Sequence, residues 1–93
     1  MIETRRLIIH GRVQGVGYRY GMMAAAKQTY INGWVRNRRD GTVEAVVQGT
    51  ESAIEQITDW ARQGPMGAAV SRVEIFEVTE KQIYVDFVQH PTQ

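Results

Sequence analysis

The chain of 93 residues contains no cysteine, and this absence excludes several kinds of chemistry. Disulfide bonds, thiolate metal sites and a cysteine nucleophile are all ruled out. A chain without cysteine suits a reducing compartment, so we expect a cytoplasmic protein.

Long apolar runs and clusters of metal ligands are also absent. No apolar run reaches the roughly 20 residues that span a bilayer, and no charged-then-apolar leader opens the chain, so we expect no membrane association. The only two histidines, His10 and His90, are far apart and have no obvious carboxylate partner. No His, Asp and Glu set has ligand spacing, so we expect no metal ion and no other cofactor.

The length predicts one domain over residues 1–93, with a modest hydrophobic core. No internal repeat or low-complexity tract is visible. Because the chain starts at Met1 and ends just past its last apolar run, we expect a free-standing domain rather than a module of a larger protein. We also expect a monomer.

Charge is divided unevenly along the chain. Residues 1–39 carry eight Lys or Arg and one acid, a net charge of +7, whereas residues 40–93 carry a net charge of −6. The basic half can attract an anionic ligand. Alternatively, Arg36, Arg38 and Arg39 form only the solvated end of a hairpin, and the sequence leaves both interpretations open.

Apolar periodicity predicts the element order βαββαβ. The predicted strands cover residues 5–12, 31–38, 42–48, 70–78 and 83–88. One helix covers residues 19–29, and a second begins after the N-cap Thr50 and stops at Gly64. This order predicts an α+β fold, a ferredoxin-like plait with two helices on one face of an antiparallel four- to five-stranded sheet.

The segment 13–19, Val-Gln-Gly-Val-Gly-Tyr-Arg, joins the first predicted strand to the first helix. Its glycines permit positive φ angles, which turn backbone N–H groups toward an anion. The following helix start adds unpaired N–H groups and the positive end of its dipole. Arg19 adds a planar fork that matches phosphate oxygens. The residues predicted to bind phosphate are Gln14, Gly15, Val16, Gly17, Tyr18 and Arg19.

No covalent nucleophile accompanies this loop. Phosphatases that attack through cysteine place the thiolate six residues before a phosphate-binding arginine, and here that position is Val13. The Gly-Lys-Ser/Thr of a Walker loop is missing as well. A catalyst built on this loop therefore needs a substrate that already carries a good leaving group.

A second motif covers residues 33–37, Gly-Trp-Val-Arg-Asn, and runs into the turn signal Asp40-Gly41. Together the two segments resemble the acylphosphatase family, whose motifs read roughly G-x-V-Q-G-V-x-F-R and G-W-V-x-N-x-x-x-G. The resemblance covers nearly the full chain. It implies metal-independent hydrolysis of a small acyl phosphate to a carboxylate and inorganic phosphate, without a phosphoenzyme. It also implies that Arg19 and Asn37 are the catalytic residues.

The predicted topology brings these two residues together. In a split βαβ plait the strands on either side of the first helix run parallel, with a third strand between them. Their C-terminal ends share one edge, separated by two strand spacings of roughly 10 Å in total. A phosphate and a water fit between Arg19 and Asn37, whose amide can orient the water. No motif reads the acyl group, so we expect broad specificity.

The sequence leaves two alternative functions to consider. RNA-recognition domains share this plait, but they stack bases on aromatic residues of the first and third strands. Residues 5–12 and 42–48 contain no aromatic residue, so we expect no nucleic-acid partner. A domain that binds acyl phosphates without turnover, or one that is part of a larger maturation protein, is the second alternative. Independently of these, the spacing alone leaves open that Asn37 only stabilises the turn before the hairpin.

The sequence also predicts how three aromatic residues are packed. Tyr30 stands where many relatives have glycine, so the first helix ends either on a strained left-handed tyrosine or on one whose ring is buried against the sheet. Trp34 is expected to pack between the hairpin and a helix. The Tyr18 ring should pack in the core, with its hydroxyl bonded to solvent or backbone.

Overall fold

The computed structural model describes all 93 residues and contains five strands and two helices. In chain order they are β1 (Glu3–Arg12), α1 (Tyr18–Thr29), β2 (Asn32–Asn37), β3 (Val43–Gly49), α2 (Glu51–Gln63), β4 (Ala69–Glu77) and β5 (Phe87–Gln89). All the predicted elements are present. Only the last one is much shorter than predicted.

The strands form one sheet in the order β4-β1-β3-β2-β5. β3 is antiparallel to both β1 and β2, so β1 and β2 run parallel as predicted. The strands β4, β1, β3 and β2 are antiparallel to their neighbours, as predicted, and β5 adds one parallel pairing with β2 at the outer edge. The segment after β4 crosses from one edge of the sheet to the other before it pairs, and this crossover sets the direction of β5.

Both helices pack on one face of the sheet, where a single core forms. Alternation along the strands places Leu7 and Ile9 of β1 in this core, beside Val43 and Val47 of β3. The helices contribute residues at helical spacing, namely Met22, Ala25 and Ala26 of α1 and Ile54, Ile57 and Ala61 of α2. Trp60 packs at the margin of the core.

The two helices are terminated by different kinds of residue. The Thr50 hydroxyl accepts a hydrogen bond from the backbone N–H of Ala53 (3.1 Å), and α2 ends at Gly64, as predicted. α1 ends at Tyr30, whose φ of 61° is the only positive φ outside glycine. The prediction of a left-handed tyrosine is confirmed. The competing expectation is wrong, because the Tyr30 side chain is 87% exposed.

The second face of the sheet carries an ion-pair cluster around Glu44. Arg6 and Arg36 donate hydrogen bonds to its carboxylate at 2.6 Å and 2.8 Å. Burial of Glu44 raises the pKa of its carboxyl, but these two hydrogen bonds and the guanidinium charges outweigh burial and hold that pKa below its ordinary value. The hairpin arginines are therefore not all solvated, since Arg36 is committed to Glu44.

Two further expectations fail on this face. Trp34 does not pack between the hairpin and a helix. Its ring stacks on His90 at a centroid distance of 4.9 Å, with the Arg36 guanidinium over it. Strand alternation explains this, because the neighbouring Val35 takes the core side of β2. His10 does have a carboxylate partner, since its Nε2 lies 2.6 Å from Glu74.

Neither α1 nor α2 has the length and hydropathy needed to cross a membrane.

Candidate active site

The loop between β1 and α1 forms an open backbone cradle. Gly15 and Gly17 have φ angles of 73° and 78°, in the left-handed region that favours glycine. Apart from the two adjoining residues, nothing in the protein lies within 4 Å of the position that a Cβ would occupy on either glycine. The glycines are therefore required by backbone conformation, and the space above them is free for a ligand.

The backbone N–H groups along this cradle are unpaired. The first hydrogen bond of α1 runs from Gly21 N–H to the Gly17 carbonyl (2.9 Å), so the N–H groups from Gln14 to Tyr20 donate to no protein acceptor. Gly17 caps the helix without a side-chain hydrogen bond, and no acidic residue lies in the first turn. Such a helix start attracts an anion through its N–H groups and its dipole.

Arg19 lies in the first turn of α1, half-buried beside the cradle. No carboxylate pairs with its guanidinium, and the same holds for Arg38 and Arg39 of the hairpin. Arg36 and Arg6, by contrast, share the carboxylate of Glu44. Some of the uncompensated positive charge of the basic half therefore lies at the end of the sheet where the cradle opens.

Asn37 ends β2 with an unusual side chain. Its Oδ1 is buried and accepts no hydrogen bond, the only buried side-chain polar atom of the protein in that condition. An unpaired buried acceptor costs about 1–3 kcal/mol, so it marks a place where a ligand or water completes the structure. Gln93 N–H donates to the Asn37 carbonyl at 3.1 Å and fixes its backbone.

Arg19 and Asn37 meet in one small cavity of about 140 Å³, as the topology predicted. Gly15, Gly17 and Tyr18 of the loop also line it. Sequence reasoning missed three lining residues, Val13, Tyr20 and Gln89. Tyr20 could have been found from its place in the first turn of α1, whereas Gln89 is brought there only by the pairing of β5 with β2.

The Gln14 side chain points away from this cavity and toward the hairpin. Its Nε2 donates to the Arg38 carbonyl at 2.7 Å and to the Thr42 carbonyl at 2.9 Å. The side-chain amide therefore couples the loop to the hairpin that follows Asn37. Any contact of Gln14 with phosphate is left to its backbone N–H.

The hairpin turn is itself locked by Asp40. Its Oδ1 accepts hydrogen bonds from the Thr42 hydroxyl (2.6 Å) and the Thr42 N–H (3.0 Å). Both bonds lower the pKa of Asp40, and the bond from the Thr42 hydroxyl has the larger effect. The positive charge of Arg38 lowers this pKa further. Gly41 completes the turn with a φ of 91°, so the Asp40-Gly41 turn signal fits the structure.

Val16 and Tyr18 hold the loop against the hydrophobic core. Val16 packs against the core, and the buried Tyr18 ring contacts Trp60 at a centroid distance of 5.2 Å. The Tyr18 hydroxyl donates to the Ala61 carbonyl (2.7 Å), the backbone bond expected for it. Burial raises the pKa of Tyr18, which keeps the hydroxyl protonated.

No group of three His, Asp or Glu side chains is arranged to hold a metal ion. The residues that line the cavity offer backbone amides, one guanidinium, two carboxamides and the Tyr20 hydroxyl. These can bind an oxyanion and position a water.

Comparisons with known proteins converge on one family. The acylphosphatase family model matches residues 5–89. The acylphosphatase of Acidovorax sp. (strain JS42) is 54% identical over 74 residues, which cover 80% of this chain and 76% of that protein. The acylphosphatase of Bordetella avium (strain 197N) is 39% identical over 96% of this chain and 95% of its own.

Solved structures give the same result. The crystal structure of acylphosphatase from Bacillus subtilis superimposes with a TM-score of 0.91 at 32% identity, covering 97% of this chain and 99% of that one. Full-length HypF, in a phosphate- and nucleotide-bound form, contains a similar region with a TM-score of 0.89 at 28% identity. That match covers 99% of this chain but 12% of HypF.

Proposed function

Since this chain belongs to the acylphosphatase family of hydrolases acting on acid anhydrides, we propose that its cavity cleaves acyl phosphates by direct attack of water. The oxygen–phosphorus bond to water forms while the phosphorus–oxygen bond to the carboxylate breaks. The protons of the water stay with the inorganic phosphate, and the acyl group leaves as a carboxylate. A carboxylate is a good leaving group, so the reaction needs no strong general acid.

In this proposal the loop 14–19 binds the phosphoryl group. Its support is the row of unpaired N–H groups along the cradle, together with the uncompensated Arg19 guanidinium. The backbone donors are held in place before substrate arrives, and charge developing on the phosphoryl oxygens meets donors that need no reorganisation. Arg19 adds two parallel donors from one rigid plane.

The observation that carries the proposal is the buried, unpaired Oδ1 of Asn37 in the same cavity. A water that donates a hydrogen bond to this oxygen satisfies it and is held beside the phosphoryl group. Fixing a nucleophile in this way converts a bimolecular encounter into a positioned attack. Asn37 therefore acts by orientation and not by removing a proton.

The cavity chemistry supports hydrolysis without a metal ion. Backbone amides and a guanidinium supply the positive charge that a metal would otherwise supply. The test is hydrolysis of acetyl phosphate in excess chelator, with a phosphate monoester as control. We expect turnover of the acyl phosphate only. Activity that the chelator abolishes and a divalent ion restores would contradict the proposal.

We also propose that residues 1–93 work as one monomeric domain in the cytoplasm. The edge strand β4 exposes Arg72 and carries Glu74 and Glu77, charges that oppose pairing with another sheet edge. The lack of cysteine suits a reducing compartment. Light scattering coupled to size exclusion tests the monomer, and a stable dimer would contradict it.

A further inference from the structure

A larger groove lies beside the phosphate cavity. Its volume is about 590 Å³, and seven of its ten lining residues are hydrophobic. Sites for small organic ligands measure roughly 300–1,000 Å³ and are mostly apolar. The groove has that size and chemistry, whereas the 140 Å³ cavity leaves room for little beyond a phosphoryl group and a water.

The groove runs along α1, opposite the edge strand β5. Tyr20, Met23, Ala24 and Lys27 line it from α1 at spacings of one helical turn, and Phe87 lines it from β5. At 1.5 Å per residue, the stretch from Tyr20 to Lys27 spans about 10 Å. That length accommodates an acyl chain of several carbons or an aromatic ring.

Tyr20 connects the two volumes, because it lines both the groove and the phosphate cavity. The Tyr20 side chain is 80% exposed, so it is not at this position to pack the core. A phosphoryl group held by the loop therefore lies next to an apolar surface. The part of the substrate that extends beyond the phosphoryl group can follow that surface along α1.

We propose that this groove binds the acyl group of the substrate and favours uncharged apolar acyl groups. The proposal rests on the acyl phosphate hydrolysis proposed above. Full burial of one methylene is worth about fourfold in affinity. Because the groove is open on one side, we expect about twofold per methylene. The preference is thus graded, and many acyl phosphates remain substrates.

A chain-length series tests the groove. We expect kcat/KM to rise from acetyl to butyryl to hexanoyl phosphate, by about 16-fold over the four added methylenes. Competitive inhibition by methyl-, butyl- and hexylphosphonate should tighten in parallel. The phosphonates report binding alone, so they test the groove even if no substrate is turned over.

One variant and a matched control assign the effect to the groove. Ala24→Glu puts a charged side chain at an exposed, groove-lining helical position, where glutamate is a good helix former. It should reduce the hexanoyl-to-acetyl ratio of kcat/KM to near one. Gln28→Glu adds the same charge to the same helix at an exposed residue outside the groove, and should keep the ratio.

The outcomes separate the two proposals. Lack of acetyl phosphate hydrolysis would overturn the proposed reaction and leave the phosphonate series to judge the groove. If acetyl phosphate is hydrolysed but chain length has no effect, or if Ala24→Glu leaves the trend intact, the acyl site is overturned. A dimer that Ala24→Glu dissociates would show that a second copy of the chain covers the groove, and would overturn it too.

Discussion

The two helices of this protein begin in opposite ways. At the start of α2 the Thr50 hydroxyl accepts a hydrogen bond from the helix backbone, and Glu51 adds a negative charge to the first turn. At the start of α1 neither feature is present, and Gly17 leaves the first N–H groups without acceptors. One helix start is completed by its own residues. The other is left for a ligand to complete.

Their C-terminal ends differ as well. α2 ends on Gly64, which takes a positive φ without steric cost, whereas α1 ends on the left-handed Tyr30. α2 is thus built for stability at both ends. α1 gives up stability at its N-terminus, where it faces the proposed phosphate site, and at its C-terminus, where Tyr30 lines the apolar groove.

Arg19→Lys should have the largest effect, because it keeps the charge at the start of α1 but removes the planar fork. We expect kcat/KM to fall by about 10²-fold or more, the range for loss of a preorganised oxyanion donor. Arg62→Lys, on the exposed surface of α2, is the matched control and should leave kcat/KM unchanged. An Arg19→Lys enzyme within about threefold of the parent would show that arginine is not the phosphate clamp.

Asn37→Ala separates binding from turnover. If α1 and its loop hold phosphate while Asn37 positions the water, kcat should fall by roughly 10-fold to 10²-fold, and the inhibition constant of inorganic phosphate should stay nearly constant. Asn32→Ala, on the same strand but outside the cavity, removes a bond to the Tyr84 carbonyl and should retain kcat for acetyl phosphate, whose acyl group is too short to extend along the groove. Loss of phosphate affinity in step with kcat would place Asn37 in the binding site instead.

Thr50→Ala tests the α2 side of the comparison. Removing the cap should cost about 1 kcal/mol of unfolding free energy. For a domain of this size that corresponds to a midpoint lower by about 4–8 °C in thermal unfolding. Because α2 takes no part in the cavity, kcat/KM should not change. A change in kcat/KM at a temperature where the variant is fully folded would mean that the two helices are coupled.

Tyr30→Gly should repair the strained end of α1. Glycine avoids the steric cost of the left-handed conformation, so unfolding free energy should rise by up to about 1 kcal/mol without effect on the hydrolysis of acetyl phosphate. Tyr30→Ala is the control, since it removes the same exposed ring but keeps the Cβ, and it should bring no gain. A midpoint lowered equally in both variants would show that the ring contributes more than the backbone strain costs.

The features carried by local signals were predictable from the sequence. The glycine loop, the Asp40-Gly41 turn and the Thr50 cap each depend on a few adjacent residues whose conformational preferences are known. The meeting of Arg19 and Asn37 followed from these once the topology was assigned, because parallel strands end at one edge.

The features that depend on distant pairing were not predictable. The direction of the three-residue β5, and with it the position of Gln89, is set by a crossover that leaves no pattern in the sequence. The side chain of Gln14 bonds to two backbone carbonyls, and carbonyls are the same in every residue, so nothing in the sequence marks those partners. Trp34 is a different case, because the alternation with Val35 that places it on the opposite face of β2 is a local pattern and could have been predicted.

The two hydrogen bonds of the Gln14 amide determine when the loop and the hairpin lose conformational entropy. They tie the loop to Arg38 and Thr42, on either side of the turn that follows Asn37. The freedom of the cradle and the hairpin to move apart is therefore lost when the chain folds and not anew in each catalytic cycle. In the proposed reaction, substrate then enters a site whose two halves are already held together by these two hydrogen bonds.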